Sequence, residues 1–160
     1  MKQWRIVAAM ACIVVLLAGC GEKKAEPAKV DGMAKYTDSQ TGFTLDYPKN
    51  WVTRSDNGKD FIATSQADVE QQFLEYKVEG PATAKIHVRT QKLEGTTMEE
   101  YMKEDRMLPD EYYNKPEQVT LGGVPATRIG INFDNGRFKS EKYYALKDSM
   151  ITTLEFAAFG

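Results

Sequence analysis

Gly42-Phe43-Thr44-Leu45-Asp46-Tyr47-Pro48-Lys49-Asn50-Trp51 is the stretch on which the fold turns. Phe43, Leu45 and Tyr47 alternate with Thr44 and Asp46, so an extended chain here is apolar on one face and polar on the other, the period of a half-buried strand. Pro48 has no N–H to donate to a sheet neighbour and closes the run, and Trp51, three residues on, swings back as a lid over the strand's apolar end. The stretch therefore reads as architecture rather than chemistry.

Working toward the C-terminus, Trp51 and Val52 start a second short strand, Ser55-Asp56-Asn57-Gly58 has turn chemistry, and Lys59 to Thr64 resumes as a strand carrying Phe61 and Ile62. The spacing then changes: Val69, Phe73 and Tyr76 fall at i, i+4 and i+7, which predicts a short helix between Ala67 and Tyr76, ended by Gly80-Pro81. Lys85 to Leu93 alternates again, with Ile86, Val88 and Thr90 on one side and His87 and Arg89 on the other. A clearer helix follows. Thr96-Thr97-Met98-Glu99 has the Ser/Thr-x-x-Glu form of a capping box, Met98, Tyr101, Met102, Asp105 and Leu108 trace a mostly apolar stripe, and Pro109 stops it. Its methionines read as core filler. The last third is strand-rich: Gln118 to Leu121, a Gly122-Gly123 turn, Ala126 to Phe133, an Asp134-Asn135-Gly136 turn whose Asn-Gly supplies positive φ, Arg137 to Leu146, then Met150 to Phe159.

Together with Leu121-Gly122-Gly123-Val124-Pro125-Ala126-Thr127-Arg128, the opening motif makes residues 36 to 159 resemble the PsbP/Mog1-like domains, a group that includes bacterial lipoproteins of unknown function. The resemblance implies an α+β domain, a central antiparallel β-sheet flanked by helices. Such domains close with a C-terminal helix packed on the sheet, whereas here the apolar strand Met150 to Phe159 runs to Gly160. The expectation is a chain that stops short of the closing helix, or else a sheet left partly uncovered at Phe156 and Phe159. Members of the group serve ends as different as photosystem support and binding of a small GTPase, so the resemblance implies a fold and no particular activity.

Working toward the N-terminus, Lys2 and Arg5 precede an apolar run of 12 residues, Ile6 to Leu17. That is the order of a secretory signal, and it falls short of the roughly 20 residues a helix needs to cross a bilayer. Leu17-Ala18-Gly19-Cys20 resembles the lipobox of bacterial lipoproteins. The resemblance implies diacylglycerol attached to the Cys20 sulfur, cleavage before that residue, and acylation of the new amine with palmitate or a similar chain; two or three chains anchor a protein stably where one does not. The domain organisation expected is thus a lipoprotein signal peptide at 1–19, a lipidated N-terminus and flexible tether at 20–35, and one domain at 36–160. The tether's four lysines interleave with Glu22, Glu26 and Asp31, a solvated composition that buries too little to order itself. The expected location is the cell membrane or outer membrane, lipid-anchored with the domain outside the cytoplasm. Gly21 in place of an inner-membrane-retaining aspartate favours the outer membrane in a two-membrane host.

Cleavage also removes Cys12, which leaves no second thiol for a disulfide. Without Lys2 and Arg5 the 21 basic residues fall to 19 against 23 acidic ones, a net charge of −4 that argues against nucleic acid as partner.

The search for chemistry is short. The one histidine, His87, would have to serve as base for Ser39, Ser55, Ser65, Ser140 or Ser149, and none of these sits in a Gly-x-Ser-x-Gly elbow, so His87 reads as an exposed strand residue. One histidine and no free thiol make no zinc site. Glu99, Glu100, Glu104, Asp105, Asp110 and Glu111 supply carboxylates without the Asp-x-Asp-x-Asp-Gly order of a calcium loop, and they read as a solvated helix surface. Of the paired tyrosines, Tyr112-Tyr113 and Tyr143-Tyr144, one of the second pair should point outward. No phosphate loop or dinucleotide fingerprint appears. The reading is a non-enzymatic lipoprotein without cofactor or metal, held to the membrane through Cys20 and binding an envelope protein or supporting assembly of a complex. The alternative is a lipoprotein that binds a small ligand or divalent ion.

Overall fold

The computed structural model describes residues 4–5, 30–56, 59–65 and 83–159. Ten strands are defined among them: β1 Trp4–Arg5, β2 Met33–Thr37, β3 Phe43–Pro48, β4 Val52–Asp56, β5 Asp60–Thr64, β6 Thr83–Lys92, β7 Glu117–Leu121, β8 Val124–Phe133, β9 Phe138–Lys147 and β10 Met150–Phe159. One α-helix, α1 Met98–Glu104, and the 3₁₀ turns Asp110–Tyr112 and Asp134–Gly136 complete the described set.

The strands form a seven-stranded sheet in the order β4-β5-β6-β10-β9-β8-β7 and a three-stranded one in the order β1-β3-β2. Every pairing in the large sheet is antiparallel. The C-terminal strand, β10, sits at its centre, paired with β6 on one side and β9 on the other. This position accounts for its composition: Ile151, Thr152, Thr153 and Leu154 are four successive buried residues, as a strand covered on both faces requires. Phe159 is 2% exposed and packs in a cluster with Phe138, Ile131, Leu108, Tyr112 and Tyr113.

The alternation of each strand sends its side chains to two separate cores. On one face Phe61, Ala63, Ile86, Val88, Ala145 and Leu154 meet the inward residues of the small sheet, Tyr36, Phe43 and Leu45. Phe61 lies between its rings: it stacks on Tyr36 at 4.1 Å and 12° and meets Tyr47 at 5.2 Å. The opening motif behaves as its pattern requires, with Phe43 and Leu45 buried, Pro48 ending β3, and Trp51 half-buried against the same cluster. Burial of each such large side chain is worth about 1.5–3 kcal/mol. On the opposite face α1 and the segment after it lie across β10, β9 and β8, with Tyr101, Ile129, Tyr144 and Ile151 buried together and Leu93, Met98 and Met102 packed around them.

This architecture corrects the expected α+β class. Of the described residues 61% are in strands and 11% in helix, with α1 the one α-helix among them. Among the described residues, one face of the central sheet is covered by β2 and β3, because Ala34 and Tyr36 alternate with Lys35 and Thr37 and extend the apolar face of the opening motif across a second strand. β2 opens at Met33, so the last three residues assigned to the tether lie in a strand. The helix expected between Ala67 and Tyr76 falls outside the described residues.

Candidate functional site

The face of the large sheet under α1 carries a row of charged side chains where strand alternation alone would place solvent. Lys85, His87 and Arg89 project from β6, Thr153 and Glu155 from β10, Ser140, Lys142 and Tyr144 from β9. The register sets them side by side: Glu155 is opposite His87 on one neighbour and Lys142 on the other, and Thr153 is opposite Arg89 and Tyr144.

Asp105, the residue that ends α1, reaches down into this row. Its carboxylate accepts from the Lys142 Nζ at 2.8 Å, from the Tyr144 hydroxyl at 2.9 Å, and from the Arg89 guanidinium. Arg89 also donates to the Tyr101 hydroxyl at 3.0 Å, and that hydroxyl lies 3.3 Å from Thr153 Oγ1. One strand over, Glu155 accepts from Ser140 Oγ at 2.9 Å and faces Lys85 Nζ at 3.4 Å. The side chains of Asp105 and Lys142 are only 10% and 11% exposed, so each charge is removed from water and needs the other.

The protonation states follow from this geometry. Burial by itself would raise the Asp105 carboxyl, but Lys142 and Arg89 outweigh it and hold the group below its ordinary value. Burial likewise works against the Lys142 ammonium, and Glu155 and Asp105 reverse it, so its pKa is raised. Glu155 resists burial through Lys85, Lys142 and Ser140 and is lowered. The Tyr144 hydroxyl is raised, by burial first and by Asp105 second. At neutral pH the network therefore holds its charges as opposed pairs.

His87 belongs to the same face but to a separate pair. Its Nε2 lies 2.5 Å from Asp60 Oδ1; a carboxylate oxygen can only accept, so Nε2 carries the proton. Burial lowers the imidazole pKa, and the Asp60 carboxylate offsets this only in part. His87 is accordingly not the exposed strand residue its sequence context suggests: its side chain is 22% exposed. It is bonded to none of the five candidate serines. Ser140 donates to Glu155, Ser65 accepts the Ala84 N–H at 2.9 Å, Ser39 lies in the β2–β3 turn, Ser55 is exposed on β4, and Ser149 occupies the β9–β10 turn at φ 64°.

The carboxylates read as one solvated helix surface are dispersed to different tasks. Glu100 closes the capping box, accepting the Thr97 N–H at 2.8 Å while the Thr97 hydroxyl accepts the Glu100 N–H at 3.2 Å. The box is thus Thr97–Glu100, one residue beyond the expected Thr96–Glu99. Asp110 pairs with Arg106 at 2.5 Å, and Glu104 borders an open hollow of about 330 Å³ that Arg89, Leu93, Thr96, Tyr101 and Asp105 also line. Among the described residues no three of His, Cys, Asp and Glu converge as a metal site would require.

Neither tyrosine of the Tyr143-Tyr144 pair points freely outward. Tyr144 is 1% exposed; Tyr143 is half-buried on the other face, edge-on to Phe156 and donating to Glu141 at 2.6 Å, with its hydroxyl pushed up to about 12 by burial and then by Glu141. Tyr113 accepts the Met107 and Leu108 N–H groups at 2.9 and 3.2 Å, and Tyr112 packs edge-on to Phe133. Asn135 takes the positive φ, 54°, that the turn demands. Cys20 lies outside the described residues. Lys142 and Glu155 were not singled out from the sequence; the available signal was Asp105 itself, a lone acid in the apolar stripe of α1.

No family model matches the chain, and no curated protein matches it. Among solved structures, the solution structure of cyanobacterial PsbP (CyanoP) from Synechocystis sp. PCC 6803 superposes with a TM-score of 0.50 over 88% of this chain and 85% of that one, at 13% identity. The fold is PsbP-like. At that identity the likeness concerns the path of the backbone, and it agrees with the resemblance carried by the Gly42–Trp51 motif. No helix among the described residues is long and apolar enough to cross a membrane.

Proposed function

We propose that this chain is the precursor of a bacterial lipoprotein whose PsbP-like domain is held on the cell envelope by lipid on Cys20 and acts as a non-enzymatic module that binds an envelope protein or supports assembly of a membrane complex. The observation that carries the anchor is Leu17-Ala18-Gly19-Cys20 directly after Lys2, Arg5 and a 12-residue apolar run. The binding role is supported by how the titratable groups are used. Asp105, Lys142, Arg89, Glu155 and Lys85 are committed to one another, and His87 to Asp60, so they rigidify a platform rather than face a substrate.

The test pairs labelling with capture. Cells fed labelled palmitate should incorporate it into the wild-type protein and not into Cys20→Ser, and detergent-solubilised membranes should yield a stoichiometric partner with the wild type. Absence of label removes the anchor. Label without a partner removes the assembly role.

One observation favours a second reading, a small-ligand binder: the hollow beside Arg89 and Tyr101 is open to solvent and bordered by groups of both charges. A ligand held there would raise the melting temperature by mass action. No shift across a panel of metals and metabolites would retire that reading.

A further inference from the structure

We propose that the outer edge of β3, from Phe43 to Tyr47, is where the mature domain takes up an extended segment of its envelope partner as an added parallel strand; this rests on the cleavage and partner-binding reading proposed above. The full-length chain already holds such a strand on this edge. β1, Trp4–Arg5, pairs with β3 in parallel, Trp4 opposite Phe43 and Arg5 opposite Thr44. Both residues belong to the stretch that cleavage before Cys20 removes. The three-stranded sheet β1-β3-β2 then loses an outer strand, and β3 becomes its edge. A sheet edge is a template for main-chain pairing with another chain.

The backbone fixes which groups that edge presents. The Asp38 N–H donates to the Phe43 carbonyl at 2.8 Å and the Lys49 N–H donates to the Gly32 carbonyl at 3.0 Å, so the odd-numbered positions from 43 to 49 address β2. Backbone groups alternate sides along a strand, so Thr44 and Asp46 address the side on which β1 lies. β1 stands opposite Phe43 and Thr44, and the edge runs on past it through Leu45, Asp46 and Tyr47. Pro48 occupies the next even position and has no N–H, so the ladder that an incoming strand builds stops there.

The side chains of β3 state the chemistry of the occupant. Phe43 and Leu45 are buried in the core shared with the large sheet, so the residues set beside them are apolar. Thr44 and Asp46 alternate with them, and Asp46 is exposed, so the residues set beside these are polar. Trp4-Arg5 has this order in sequence, an apolar residue and then a basic one. β1 pairs with β3 and with no other strand among the described residues, so the edge accepts an isolated extended segment. That is the form of a partner's terminus or loop rather than of a second folded copy.

The probe is the synthetic peptide Lys2-Gln3-Trp4-Arg5-Ile6-Val7, added in detergent micelles to lipidated protein whose intact mass begins at Cys20. In a parallel ladder Thr44 bonds to the peptide groups flanking its partner Arg5, so a methyl on the Ile6 nitrogen blocks the ladder and one on the Arg5 nitrogen does not. Amide NMR of the protein reads Thr44 and Asp46. The expected result is saturable shifts with the plain and Arg5-methylated peptides and binding about tenfold weaker with the Ile6-methylated one. The Cys20→Ser precursor, which retains residues 1–19, is expected to bind none of them, its edge being occupied. No saturable shift in the mature protein, equal affinity for the two methylated peptides, or equal binding to the precursor overturns strand addition and leaves the anchor standing. Shifts at Thr44 and Asp46 that follow protein concentration without peptide assign the edge to a second copy and overturn the partner strand. A native product that still carries residues 1–19 overturns the cleavage, and the vacated edge with it.

Discussion

The Asp105 carboxylate lies 2.8 Å from the Lys142 ammonium, 37 residues away in sequence, and this pair fastens the end of α1 to the middle of β9. Both side chains are nearly buried, so removing one partner strands the other. Asp105→Ala is expected to cost about 3–5 kcal/mol in urea denaturation. The double variant Asp105→Leu, Lys142→Met, which removes both charges and keeps the volume apolar, is expected to be clearly more stable than Asp105→Ala. Additive losses would show that the pair is not coupled.

The pH dependence has a sign that the geometry fixes. The folded pKa of His87 lies below its ordinary 6.5, so as pH falls the unfolded chain takes up a proton that the folded one resists, and stability is lost from about pH 6.5 downward. Asp105 and Glu155, also lowered in the folded state from 3.8 and 4.5, add a second loss as pH falls through those values. On the alkaline side the raised Lys142 contributes in full below its ordinary 10.5 and loses that contribution as pH rises beyond it. The melting temperature should thus be level from neutral pH to about pH 10 and decline in two steps on the acid side. His87→Gln should erase the first step and leave the second; an unchanged first step would assign it elsewhere.

The capping register is separable by mutation. Thr97→Ala removes the acceptor for the Glu100 N–H and is expected to cost about 1 kcal/mol. Thr96→Ala loses only a side-chain contact to Glu100 at 3.1 Å and is expected to cost less than half as much. Equal costs would favour the Thr96–Glu99 box instead.

Phe61 joins the two sheets through its stack on Tyr36 and its contact with Tyr47. Phe61→Ala is expected to destabilise by about 3–5 kcal/mol. Tyr36→Phe, which gives up only a long 3.4 Å bond to Asp38, should be within about 1 kcal/mol of wild type. Hydrogen exchange at β2 and β3 should rise in the first variant and not in the second.

Much of the strand pattern was legible because half-buried strands announce themselves by alternation: β3, β6 and β8 each carry it, and the Asn135-Gly136 turn marks its hairpin, whereas β10 shows the continuous burial of a strand covered on both faces. The β9–β10 turn was less legible, since it is made by Asp148 and Ser149 at φ 51° and 64°, with no glycine to betray it. Adjacent threonines followed by Glu99 and Glu100 fit the capping pattern in two registers, and only the hydrogen bonds choose between them. The α+β expectation failed at Met33–Thr37, where Lys35 and the charged sequence before it mask the alternation of a strand. The charge network was the least legible feature. Lys142 and Glu155 sit at positions that alternation assigns to water, and they are buried only because Asp105 arrives from a distant helix to neutralise part of that face.

The central claim is that the domain is tethered through its cysteine, and intact-mass spectrometry of the protein purified from its own membranes tests it most directly. The account requires a chain that begins at Cys20 and carries the added mass of a diacylglyceryl group and an amide-linked acyl chain. A free Cys20 thiol with residues 1–19 still attached would contradict it, and with it the envelope location.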